Sequence, residues 1–153
     1  MPQHAKRQQL IPVMLALNVL GALYVLGWTV LVVGWSLRAP MPDIFNLMLG
    51  SMPLPVRAAP LIGLPIVLLQ IYLIRKRSCG VALTAFMLTG LNLFTFVHMV
   101  NNPYYPSPLP GLVSTSIWIF SFVSSVSLAL QGEFGRGKTP FEIWLLGLLR
   151  RVF

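Results

Sequence analysis

Residues 8–37 read QQLIPVMLALNVLGALYVLGWTVLVVGWSL, thirty positions without a charged side chain. A helix needs about 20 residues to cross roughly 30 Å of hydrocarbon. The core of a secretory signal holds only about 7–15 apolar residues, and no small-residue cleavage pattern follows this run. It therefore reads as a retained membrane span over 11–35, with Pro12 in its first turn, where a missing N–H costs little. The excess length implies tilt, or an end that emerges before Trp35. No targeting segment precedes the run, which points to a bacterial inner membrane.

Three further apolar segments follow. The stretch 38–57 is a loop punctuated by Pro40, Pro42, Pro53 and Pro55. Between those prolines, residues 44–49 are too few to span and are expected to lie flat in the outer interface, with Asp43 as N-cap and Gly50 as stop signal. The second span, 58–74, carries Pro65 in its interior, which frees the Leu61 carbonyl and must therefore face protein rather than lipid. A basic turn over 75–78 makes spans two and three antiparallel neighbours. The third span covers 79–100. A proline-rich loop with Tyr104 and Tyr105 at headgroup depth leads to a serine-rich fourth span over 111–130. After a polar, glycine-rich exit, Thr139-Pro-Phe-Glu142 has the form of a capping box. It opens a helix over 140–153, too short to span, expected to lie amphipathically on the cytoplasmic surface or to dock on a partner. The fold expected is a four-helix transmembrane bundle, all-α, with two interfacial helices and one polytopic domain over 1–153.

Composition agrees. Only 9% of the residues are charged and 56% are hydrophobic, too few charges to cover a water-soluble fold of this size. The formal net charge of +8 is explained by orientation and by anionic headgroups. The interleaved basic and aromatic stretches of a nucleic-acid groove are absent, so nucleic acid is not an expected partner. Cys79 is the one cysteine, which excludes an internal disulfide and any thiol pair.

Orientation follows from where the cations fall. Lys6, Arg7, Arg75, Lys76, Arg77, Arg136, Lys138, Arg150 and Arg151 lie on one side of the predicted topology, against Arg38 and Arg57 on the other. The positive-inside bias therefore places both termini in the cytoplasm.

No Asp, Glu, Lys or Arg falls within the spans as drawn. Intramembrane charges mark proton relays and ion paths, so the sequence weighs against proton-coupled pumps. One aspartate in the whole chain cannot supply the pair that a membrane aspartyl hydrolase needs. The polar residues that do fall in spans are neutral: Asn18 in the first, Gln70 in the second, Thr84, Asn92, Thr95 and His98 along one side of the third, Ser114, Ser121 and Ser125 in the fourth. They read as helix-packing hydrogen bonds or, alternatively, as a polar pathway. His98 is the one imidazole within a span, and topology places it within reach of Asp43. No catalytic, cofactor or metal constellation is evident. The one donor set that would suit a soft ion is His98 and Met99 with Met48 and Met52, of a kind that binds Cu(I).

The function expected from these residues is that of an accessory or partner-binding membrane subunit. A small homo-oligomeric transporter, flippase or channel is the alternative. A lipid- or quinone-modifying enzyme at the outer interface is the third, with His98, Asp43, Arg38 and Arg57 as its only polar tools.

Overall fold

The structure, a computed structural model, describes residues 3–135 and 139–153, with side chains from Gln9 onward. Lys6, Arg7, Arg136 and Lys138 thus lie outside the described side chains. The described residues form six helices and no strand: α1 (Gln3–Ser36), α2 (Asp43–Ser51), α3 (Leu54–Arg75), α4 (Gly80–Val100), α5 (Leu109–Leu130) and α6 (Pro140–Val152). Four of them, α1 over Gln9–Ser36 together with α3, α4 and α5, are long and apolar enough to cross a membrane. The chain is a multi-pass helical membrane protein.

The four long helices close a ring in which α1 packs on α3 and α5, and α4 on α3 and α5. Side-chain contacts fix their sense. Asn18 meets Gln70 and Thr29 meets Pro60, so α1 and α3 run antiparallel. Asn18 also meets Ser121, with Gly21 against Trp118 one turn on, so α1 and α5 do too. The bundle is up-down-up-down. The 76–79 turn and the start of α6 share one end, here the turn end. Helix α2 and the 101–108 loop share the other, the loop end.

The prolines explain where α3 begins. Its first turn reaches back to Leu54, four residues before the expected start, because Val56 and Arg57 donate their N–H groups to the Pro53 carbonyl. Pro55 sits in the first turn, where no N–H is required. Arg57 is thereby carried into a helix instead of a loop. In α1 the correction runs the other way, since the helix already exists at Gln3 and Pro12 is an interior residue. In α2, Asp43 is the first helical residue and makes no capping bond, and Gly50 lies inside the helix. That helix ends at Ser51 because Met52, preceding Pro53, is driven to extended backbone at ψ 139°.

Three helices end in the same way. The N–H groups of Arg38 and Ala39 bond to the Trp35 and Gly34 carbonyls; Arg77 and Ser78 bond to Ile74 and Leu73; Gly132 and Glu133 bond to Ala129 and Leu128. These are Schellman closures, with the first residue of each pair in left-handed backbone, at φ +56°, +52° and +75°. Two of the three positions hold arginine, although a non-glycine residue there costs about 1–2 kcal/mol. Both arginines sit at a helix C-terminus, where a cation meets the negative end of the dipole.

Helix α6 is fastened to the turn end. Thr139 caps it by accepting the Glu142 N–H at 3.2 Å. The Glu142 carboxylate does not return to Thr139, as a full capping box would have it. It accepts the Ser78 hydroxyl at 2.6 Å, which ties α6 to the α3–α4 turn. Gly135, at φ +65°, donates its N–H to Arg77 at 2.8 Å. Leu145 and Leu149 are buried with Met14, Ile74, Cys79, Val81 and Phe134 in one apolar cluster. Phe134, in the segment read as a polar exit, is fully buried there. The Phe153 ring packs edge-on against Phe122, two turns inside α5, so α6 folds back along the bundle. Burial raises the pKa of the Cys79 thiol, and the Glu142 carboxylate raises it further.

Candidate functional site

Helical periodicity places small or polar side chains on the inward faces of the four long helices, and they pair in two layers. In the layer nearer the turn end, the Asn18 amide donates to Ser121 Oγ at 2.8 Å and to the Met14 carbonyl at 2.7 Å. Its Oδ1 accepts from Gln70 Nε2 at 2.6 Å. One asparagine thus joins α1, α3 and α5, and all three side chains are fully buried. Gln70 Oε1 is left without a partner. In the second layer the Asn92 amide donates to Thr115 Oγ1 at 2.6 Å. Ser114 donates to Asn92 Oδ1 at 3.3 Å, and Trp118 Nε1 donates to Ser114 at 3.1 Å. This layer clasps α4 to α5.

The Trp118 indole lies between the two layers, in a cluster with Val25, Val67 and Leu88. It fits because Gly21 faces it. A Cβ at position 21 would overlap the ring.

The remaining candidates divide. Thr95 donates to the Asn92 carbonyl at 2.9 Å, and Ser125 to the Phe122 carbonyl at 2.8 Å. Both bonds are within their own helices. Thr84 likewise bonds back to Val81 and Gly80. Thr29 crosses from α1 to the Pro60 carbonyl at 3.2 Å, whereas Pro65, expected to face protein, is exposed. His98 does not turn inward. It is exposed on the outer wall of α4, with Nδ1–H donating to the Phe94 carbonyl at 2.8 Å and its ring against Phe94. Asp43 is not among its hydrogen-bond partners.

The methionines of the soft-metal set do converge. Met48, Met52 and Met99 are buried together with Val32, Leu49 and Val56, and Met41 packs at the margin. His98 is not among them, so the imidazole and thioether donors face different surroundings. Among the described residues no group of three His, Cys, Asp or Glu side chains is placed to hold a metal. Helix α2 forms the roof of this cluster. Asn102 fixes it there by donating to Ser51 Oγ at 2.9 Å and to the Met48 carbonyl at 3.3 Å.

Beneath the roof, α1, α3 and α4 part to leave a small cleft of about 60 Å³, open at its mouth. Its walls are mostly apolar and aromatic, with Tyr24, Trp28 and Trp118 on one side and Ala59, Gly63 and Leu91 on the other. Asn92 and Thr95 line it too, as does one cation, Arg57. The Arg57 guanidinium lies 4.7 Å from the centre of the Trp35 ring, and its Nε is buried without a hydrogen-bond partner. Sequence reasoning did not single out the cleft or the stacking on Trp35. The available signal was an arginine just after a Pro-x-Pro pair at the start of an apolar run. No protein-family model, curated protein or solved structure matches the chain.

Proposed function

We propose that this chain is a non-catalytic, partner-binding subunit of a bacterial inner membrane, with both termini in the cytoplasm. The observation that carries the reading is how the buried polar side chains are used. Asn18, Gln70, Ser121, Asn92, Ser114 and Thr115 bond helix to helix, as packing residues do. A permeation route would present such groups to a continuous passage instead. The orientation rests on charge: among the described residues the turn end carries Arg75, Lys76, Arg77, Arg150 and Arg151, and the loop end Arg38 and Arg57. In this setting α2 is an outer interfacial helix. Helix α6 sits at the inner interface with Trp144 and Phe141 exposed towards lipid, near anionic headgroups that its arginines attract.

The test is purification of the tagged chain from its native membrane in a mild uncharged detergent. A second membrane protein in fixed stoichiometry is the expected result. Replacing Asn92 and Thr95 together with Leu should lower thermal stability and leave any solute flux of reconstituted vesicles unchanged. Isolation of the chain as a homo-oligomer, with a flux that this double substitution abolishes, would establish the transporter reading in its place.

A further inference from the structure

We propose that the cleft beneath α2 binds one net-anionic, phosphate-headed amphiphile, with the phosphate on Arg57 and the start of an acyl chain in the cleft beside Pro60 and Gly63. The argument begins with an unbalanced charge. A guanidinium is ionised at every accessible pH, and taking one out of water without a counter-charge is costly. Arg57 is half-buried, with Nε wholly so and unpartnered. The chain has only three acidic residues. Glu142 is bonded to Ser78, and Glu133 follows α5, closing it with its backbone N–H, so both lie at the turn end. Asp43 opens α2 and is exposed. The chain therefore supplies no buried carboxylate for this cation.

The surroundings specify an anion with a particular shape. Arg57 belongs to the first turn of α3, where the helix dipole also favours negative charge. The guanidinium lies over the Trp35 ring, and its terminal N–H groups offer the forked bonding that phosphate oxygens accept. Below it the cleft is apolar, and at Ala59 and Gly63 α3 has almost no side chain to fill it. A Cβ at Gly63 would meet Leu91 and Val25 at ordinary contact distances of 3.4 and 3.6 Å. A free anion would leave that apolar space unused, whereas a lipid fills both parts.

The experiment uses the full chain in dodecyl maltoside and native mass spectrometry, with phosphatidylglycerol, phosphatidylcholine and inorganic phosphate as probes. Wild-type protein should retain one phosphatidylglycerol, bound about tenfold more tightly than phosphatidylcholine. Arg57→Gln should lose that preference, and Arg38→Gln, at the same end of the bundle, should keep it. Equal retention of the two lipids by wild type, or equal losses in both variants, would overturn the proposal. If inorganic phosphate protects the fold as well as the lipid does, the site takes a free anion and the amphiphile is rejected. Should Arg57→Gln not fold, wild-type protein still decides. A phosphatidylglycerol with brominated acyl chains must quench tryptophan fluorescence and saturate at one lipid per chain, since Trp28 and Trp118 line the cleft. Unsaturable quenching contradicts it. These outcomes do not depend on whether a protein partner is found.

Discussion

Trp118→Ala should destabilise the bundle by about 3–5 kcal/mol, the range for emptying a buried tryptophan site. Gly21→Leu alone should cost about 1–3 kcal/mol, from overpacking against the same ring. The two should not add. With the indole gone, the leucine enters the space it vacated, and the double variant should be more stable than the sum of the single effects by at least about 1 kcal/mol. The prediction rests on the facing of Gly21 and Trp118 across the α1–α5 contact and on the burial of Trp118 among Val25, Val67 and Leu88. Reversible unfolding in mixed micelles measures all three variants. Strict additivity would show that the two residues do not touch.

The polar layer around Asn18 should respond asymmetrically. Asn18→Leu takes from Ser121 its donor and from Gln70 its acceptor, leaving buried groups unmatched at about 1–3 kcal/mol each. Gln70→Leu should cost less. It removes an orphaned Oε1 but leaves the buried Asn18 Oδ1 without its donor, so one unmatched group replaces another and the net cost is that of a single interhelical bond, about 0.6–2 kcal/mol. Restoring apolarity on both sides, in Asn18→Leu with Gln70→Leu, should recover part of the loss. Equal costs for the two single substitutions would mean that Gln70 Oε1 has a partner, such as a buried water.

The spans were legible because their signal is the absence of charge over lengths that only a bilayer requires. The boundaries were less so. Proline was read as a loop residue at Pro53 and Pro55, although the first turn of a helix has no use for the N–H that proline lacks. The Schellman ends at Arg38 and Arg77 were invisible, since glycine is the usual marker of left-handed backbone and arginine is not. Phe134 was masked by its glycine-rich neighbours. Glu142 was correctly placed near a cap, but its carboxylate was assigned to the wrong donor, because Ser78 is distant in sequence and adjacent only once α3 and α4 have turned.

The same distinction holds for the interior. Helical spacing put Asn18, Asn92 and Ser121 on candidate faces and left Gln70 alone in its span, and the structure joins all four in two layers. It could not say which of the aligned residues on α4 look inward. His98 shares a broad arc with Thr84, Asn92 and Thr95, yet it lies on the outer wall, because an arc of that width extends past the packed seam. The cleft arises from side chains that are missing, Ala59 and Gly63, and from an arginine whose environment exists only after α2 has folded over it.

The alternating four-pass topology is tested most directly by paired fusions, one reporter active only in the cytoplasm and one active only after export, placed after Phe153 and after Pro106. Cytoplasmic activity at Phe153 with export activity at Pro106 is the predicted pattern. Export activity at Phe153, or the same activity at both positions, would contradict it.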